Sequence, residues 1–184
     1  MIILDDVLPK PLFARLSLMV IDNDNFSFVV GPTADRTDSV RSFAASPSPG
    51  WEFEYFSLPL LNALGKLQNI RLTDIFRIRF GLLFRDINQI VNTPHVDNDK
   101  QPHHVGLYYL NDTDGATKIW KQKHKDWGSD YVRYSLDECE LLQEVEPKSN
   151  RMVIFDGSHY HSSVTPTKTQ LRYVINYNFN VVGE

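Results

Sequence analysis

From Asp74 onward the chain breaks into short segments of alternating polarity separated by turn formers, and that pattern leaves few folds open. The run "FRIRFGLLFR", residues 76–85, sets Ile78, Phe80, Leu82 and Phe84 on one side of an extended strand. Arg77, Arg79, Leu83 and Arg85 fall on the other. "HHVGLYYLND" runs into the Asx-rich turn "NDTDG", and "ATKIW", "ELLQEVEP", "NRMVIFDG" and "QLRYVINYNFNVV" follow, each bounded by Pro, Gly, Ser or Asn. Several short strands with turn signals between them predict a sandwich or barrel. Before Asp74 the reading is mixed. "MIILDD" and "NFSFVVG" read as strands, while "LFARLSLMVI" and "LPLLNALGKLQNI" read as helices, the second continuing through Gly65. Residues 32–50 carry turn formers with little periodicity and are expected to form a mobile loop. No repeat or linker interrupts the chain. One domain is expected over residues 1–184, with a helical support up to about residue 73 and a β core from about residue 74.

With 184 residues and 42% hydrophobic content, one well-buried core is affordable. The net charge of −4 comes from interspersed acids and bases, which gives no basic face for nucleic acid. Cys139 is the sole cysteine, so an internal disulfide framework and a multi-cysteine zinc site are excluded and a reducing, cytoplasmic setting is expected. "MIILDDVLPK" meets acids after a very short apolar run, and no apolar stretch approaches the roughly 18 residues of a membrane span. A soluble, unprocessed protein without a membrane partner is expected.

Six histidines occur: His95, His103, His104, His124, His159 and His161. In "TPHVDND", His95 and Asp97 stand at i and i+2, so an extended backbone points imidazole and carboxylate to one side. Alone such a tripeptide is unspecific. A further histidine, His159 or His161 of "FDGSHYHSS", would complete a two-histidine, one-carboxylate set that leaves coordination positions open, as in non-haem Fe(II) oxygenases. Zinc accepts the same ligand types, so the ligands do not name the metal. Arg172 discriminates further. It shares a face of "QLRYVINYNF" with Val174 and Asn176, and a guanidinium pointing into a barrel needs an anion. A dicarboxylic co-substrate, held at one end by Arg172 and chelating the metal with the other, would be such an anion.

Four stretches in order, "HVDN", "GLYYLND" with "DGATKIW", "VEPKSNRMVIFDGSHYH" and "LRYVINYNF", resemble the Fe(II)- and 2-oxoglutarate-dependent dioxygenase superfamily, in its prolyl 4-hydroxylase-like branch. The resemblance covers residues 95–179, about half the chain. It implies a mainly β fold with supporting helices, a double-stranded β-helix or jelly roll. It also implies Fe(II) as the metal, 2-oxoglutarate and dioxygen as co-substrates, and ascorbate as an optional reductant. Fe(II) would be held by His95, Asp97 and a distal histidine. Family spacing selects His161, eleven residues before Arg172 and five before Pro166, over His159, which stands thirteen and seven before them. Arg172 would pair with the far carboxylate of 2-oxoglutarate and Tyr109 would donate its hydroxyl to the same group. Asn176 occupies the place of a small hydroxyl residue that often assists there. No catalytic side chain is expected beyond these ligands.

For the neighbours the expectations are blander. Tyr108 should pack with a wet hydroxyl, and His159 should stand beside the site or in solvent. His103 and His104 should lie at the surface, and His124 of "KQKHKDW" on a solvated face. The implied activity is oxidative decarboxylation of 2-oxoglutarate coupled to hydroxylation of a C–H bond, with a prolyl residue of a peptide or protein as substrate. Arg77, Arg79 and the residue 32–50 loop are then rim elements. The alternatives are an oxygenase of the same fold acting on a small molecule or nucleobase, a non-catalytic binding module, and a zinc hydrolase. In a zinc hydrolase Tyr109 and Arg172 have no evident task.

Overall fold

The computed structural model describes residues 1–22, 28–32, 41–67, 70–128 and 131–182. Two antiparallel sheets face each other. In chain order the elements begin with β1 (Ile2–Leu4), α1 (Lys10–Ile21), β2 (Val29–Pro32), β3 (Arg41–Ala45), α2 (Trp51–Gly65) and β4 (Arg71–Phe84). Then come β5 (His104–Tyr109), β6 (Thr117–Lys123), β7 (Leu141–Val145), β8 (Arg151–Asp156), β9 (His159–Ser163) and β10 (Leu171–Val182). The larger sheet runs β1-β8-β5-β10-β4-β3-β2 and the smaller β7-β6-β9. This is the mainly β sandwich expected from the alternating segments. Among the described residues no helix is long and apolar enough to cross a membrane.

Alternation along the strands of the larger sheet divides the interior into two cores. Met152 and Ile154 of β8, Tyr108 of β5, and Ile175, Tyr177 and Phe179 of β10 point outward. There they meet Leu16 and Val20 of α1 and Phe56, Leu60 and Ala63 of α2. Val153 and Phe155, Val105, Leu107 and Tyr109, and Val174 point the other way and pack with Ile119 and Val145 of the smaller sheet. The helices therefore cover one face of the larger sheet and leave the other to the space between the sheets.

The N-terminal third departs from expectation in two places. Residues 41–45, expected in a loop, form β3, which pairs with β2 and β4; residues 33–40 of that loop lie outside the described residues. The segment has weak strand character of its own. Its partner decides, because the edge of β4 offers a ladder at Phe80–Leu82 and Phe84 offers an edge-on ring to Phe43 at 5.0 Å. The second helix starts earlier than its apolar spacing suggests and stops at Gly65. Glu52 explains the start: near the helix N-terminus, where negative charge is favoured, its carboxylate also accepts the Ser48 N–H at 2.8 Å.

Asn150 ties the N-terminal segment to the sheet. It adopts a left-handed backbone, φ 64°, at the turn before β8. Its Oδ1 accepts from the Leu8 N–H at 2.9 Å and the Tyr108 hydroxyl at 2.6 Å, and its Nδ2 donates to the Leu8 carbonyl at 2.8 Å. Tyr108 is fully buried, so its hydroxyl is not wet as expected but held by this side chain. Asn150→Ala strands three buried polar groups and leaves the backbone strained, and is expected to lower unfolding free energy by about 3 kcal/mol. Asn150→Gly, which relieves the strain only, should recover a minor part. Urea denaturation of the two variants measures both.

Candidate active site

The inner face of the larger sheet becomes polar where β10 crosses its middle. Strand register places Arg172 opposite Leu83, Val174 between Gly81 and Tyr109, Asn176 between Arg79 and Leu107, and Asn178 between Arg77 and Val105. Arg172, Asn176 and Asn178 thus follow one another along a face that elsewhere in the sheet is apolar. Buried polar groups need partners, and the partners mark the site.

At one end lies Asp97. Its Oδ2 accepts from Asn176 Nδ2 at 2.9 Å and Asn178 Nδ2 at 3.0 Å, and its Oδ1 faces Arg77 Nη1 at 3.3 Å. Arg77 is itself fixed by donating to Asn178 Oδ1 at 3.0 Å. His95 and His161 are brought together by an antiparallel bridge whose two backbone hydrogen bonds measure 3.0 and 2.9 Å. Their rings lie 4.5 Å apart between centroids, and His161 Nε2 stands 3.7 Å from Asp97 Oδ2. One donor atom from each of His95, Asp97 and His161 falls within 4.8 Å of the other two.

This donor set fits a divalent transition metal. Nδ1 of His95 lies 3.1 Å from the Thr93 carbonyl and Nδ1 of His161 lies 3.4 Å from the His159 carbonyl, an arrangement that favours protonated Nδ1 and leaves Nε2 bare. Two imidazoles and one carboxylate on one side leave room for exchangeable ligands. Burial would raise the Asp97 carboxyl, but His161, which carries charge only in acid, together with Arg77, His95 and the Asn176 amide outweighs it and holds the group well below the usual carboxylate range. Burial pushes His161 down to about 4, so at neutral pH its contact with Asp97 is not an ion pair. Arg77 and the two asparagine amides are then what keep Asp97 ionised.

A pH effect follows. A histidine with a depressed folded pKa takes up its proton more readily when unfolded, so stability is lost as pH falls from the ordinary value of 6.5 towards about 4. His103, also pushed down by burial, adds to the same slope. In chelator-stripped protein the urea midpoint is expected to climb over this window as pH rises, and less steeply in His161→Gln.

At the other end Arg172, 3% exposed, donates from Nε to the Gly115 carbonyl at 2.8 Å and from Nη2 to Thr117 Oγ1 at 2.8 Å. The Tyr109 hydroxyl donates to the same Thr117 oxygen at 2.8 Å, and burial keeps it neutral by raising its pKa. Gly115 must lack a side chain: a Cβ there would stand 2.7 Å from the Val164 carbonyl and 3.0 Å from Arg172 Cδ. Asp114, next to it, accepts from the backbone N–H groups of Thr167, Lys168 and Thr169 and from the hydroxyls of Thr167 and Thr169, pinning the turn that leads into β10. Arg172, Thr117, Asn176, His95, Asp97 and His161 line one cavity of about 600 Å³, open mouth included, with apolar walls from Leu83, Leu107 and Val174.

The sequence-derived residues are therefore largely gathered in one place, with differences. Asn176 turns its amide to Asp97 and makes no hydrogen bond to Arg172. The sequence motifs do not mark Thr117, Asn178 or the role of Arg77. Thr117 belongs to no motif; Asn178 was within reach, since it continues the parity of Arg172 and Asn176. His159 lies apart, its Nδ1 2.8 Å from the Trp120 carbonyl. His103 and His124 are buried, at 4% and 5% exposure, contrary to the expected surface positions. Both rings pack against Trp127, at 5.7 and 4.9 Å between centroids. The exposed lysines around His124 hide this, because the strand ends at Lys123 and alternation ends with it.

Comparison with known proteins follows the same lines. The profile of the 2OG-Fe(II) oxygenase superfamily matches residues 88–180. No curated protein matches the sequence. A prolyl hydroxylase from Trichoplax adhaerens, solved with a hypoxia inducible factor peptide fragment, superposes with a TM-score of 0.63 at 17% identity, covering 97% of this chain and 82% of that one. A Pseudomonas putida prolyl-4-hydroxylase gives 0.56 at 16% identity, with 97% and 91% covered. HygX from Streptomyces hygroscopicus, solved with nickel and 2-oxoglutarate, gives 0.60 at 11% identity, with 97% and 82% covered. At these identities the likeness is one of fold.

Proposed function

We propose, proceeding from the fact that this chain belongs to the 2OG-Fe(II) oxygenase superfamily, that it hydroxylates a prolyl residue of a peptide or protein. Membership makes it a 2-oxoglutarate-dependent dioxygenase that uses Fe(II), 2-oxoglutarate and dioxygen. Residues 1–184 act as one catalytic domain in this reading. The observation that carries the site assignment is a single cavity with a two-histidine, one-carboxylate cluster at one end and a hydrogen-bonded guanidinium at the other.

His95, Asp97 and His161 would hold the iron, which when bound supplies the site for chelating 2-oxoglutarate and activating dioxygen. The remaining work belongs to the chain. Arg77, Asn176 and Asn178 keep Asp97 ionised and fix its orientation. Arg172 pairs with the far carboxylate of 2-oxoglutarate through its Nη hydrogens, oriented by its bonds to Gly115 and Thr117. Tyr109 swings its hydroxyl from Thr117 to that carboxylate. Leu83, Leu107 and Val174 exclude water between the two ends. The prolyl substrate is supported by the sequence likeness of the "GLYYLND" and "VEPKSNRMVIFDG" strands to prolyl hydroxylases and by two prolyl hydroxylases among the similar folds.

Two measurements test this. Anaerobic Fe(II) and 2-oxoglutarate should give a visible metal-to-ligand charge-transfer band, absent in Arg172→Ala. A panel of prolyl peptides should yield succinate together with gain of one oxygen atom on proline by mass spectrometry. Succinate formation driven only by non-prolyl compounds would keep the oxygenase and remove the prolyl substrate. Copurification with zinc and indifference to 2-oxoglutarate would remove both.

A further inference from the structure

A second cleft, which Arg172 does not line, shares Arg79, His95 and Asp97 with the first cavity and is bounded by Arg77, Tyr131 and Arg133. It encloses about 790 Å³, open mouth included, enough for a substrate rather than a solvent molecule. Both carboxylates that line it are engaged: Asp97 by Arg77, Asn176 and Asn178, and Asp99 by Lys100 at 3.3 Å. Arg77 spends Nη1 on Asp97 and Asn178.

Arg79 differs from Arg77. It is half-buried, two residues along the same face of β4, and has no hydrogen bond or ion pair among the described residues. Burial and then the Arg77 charge act against its protonated form, and the Asp97 charge, already shared with Arg77, Asn176 and Asn178, offsets them only in part. A guanidinium so placed needs an anion. 2-Oxoglutarate does not meet that need, since its far carboxylate has Arg172 and its other end goes to the metal. Opposite Arg79 on β10, Asn176 Oδ1 is buried without a partner among the described residues, an acceptor ready for an N–H donor.

We propose that Arg79 is a specificity-determining residue that binds a carboxylate carried by the substrate close to the carbon that is oxidised. This deepens the hydroxylase reading and rests on it. The carboxylate comes either from an acidic side chain beside the target residue of a peptide or from a free small acid; the Arg79 pairing is the same for both. Asn176 Oδ1 takes a neighbouring N–H of the same substrate.

The test uses protein saturated with Mn(II) and 2-oxoglutarate, as wild type, R79Q and R79K. Binding is measured for N-acetylated, C-amidated Gly-Glu-Pro-Glu-Gly against Gly-Gln-Pro-Gln-Gly capped in the same way, and for N-acetylglutamate α-amide against N-acetylglutamine α-amide. In wild type the acid should bind about tenfold tighter than its amide in at least one pair, the effect of one partly desolvated charge pair. R79Q should erase that preference and R79K should restore part of it. Preference in the peptide pair identifies a peptide source, and preference in the second pair alone identifies a small acid. Since the second pair contains no proline, it tests the carboxylate site even where prolyl hydroxylation fails. No preference for acid over amide in either pair overturns the proposal, as does a preference that survives in R79Q. The 2-oxoglutarate affinity of R79Q is read in the same samples, and its loss would assign Arg79 to the co-substrate and overturn the proposal too.

Discussion

His161→Ala is expected to weaken Fe(II) binding by about a hundredfold or more and to abolish 2-oxoglutarate turnover, while His159→Ala keeps most of both. The two histidines lie two residues apart on β9, yet their surroundings differ. His161 is backbone-paired with His95, so the register that forms the bridge also sets both rings beside Asp97. Its imidazole is buried and stays neutral to about pH 4, which means almost no proton competes with a metal at neutral pH. His159 pairs instead with Lys123 at the far end of β6 and turns its Nδ1 to the Trp120 carbonyl. Metal content after chelation and reloading, with succinate release, measures the contrast. Loss of iron in His159→Ala with retention in His161→Ala would reverse the assignment.

The second large effect is expected at Arg172. Arg172→Lys should raise the KM for 2-oxoglutarate by about a hundredfold, the worth of a bidentate charge-assisted pair, and leave Fe(II) affinity near wild type. Lysine keeps the charge but cannot hold the Gly115 carbonyl, the Thr117 hydroxyl and a carboxylate in one plane. Thr117→Val should act in the same direction and less strongly, because it removes the oxygen that both Arg172 Nη2 and the Tyr109 hydroxyl use. Circular dichroism and metal loading of each variant separate a lost co-substrate contact from a misfolded sheet. Unchanged KM in a folded, iron-loaded Arg172→Lys would place the far carboxylate elsewhere.

What could be read in the sequence was what depends on short-range parity. The i, i+2 spacing puts His95 and Asp97 on one side, and alternation in β10 and β5 separates Arg172 from Tyr173 and Tyr109 from Tyr108. Each of these relations survives without knowledge of any partner strand. Long-range partners were out of reach. β3 is a strand because β4 offers it an edge, and Thr117 matters because β6 crosses above Arg172. His124 is buried because Trp127 and Tyr131 fold over it. Arg77 is a case between the two: its side was correctly read, but its role depends on a register that sets it opposite Asn178.

β10 behaves like a message read in one of two frames. In the frame observed, Ile175, Tyr177 and Phe179 go to the helices and Arg172, Val174 and Asn176 go to the cavity. Insertion or deletion of one residue near Leu171 would exchange the two sets, putting phenol rings where the guanidinium stood and a charge among α1 and α2. Point substitutions on this strand are thus local injuries, whereas a single-residue length change would cost the fold and the chemistry together. Length variation among relatives is accordingly expected in the turns flanking β10 and not within it.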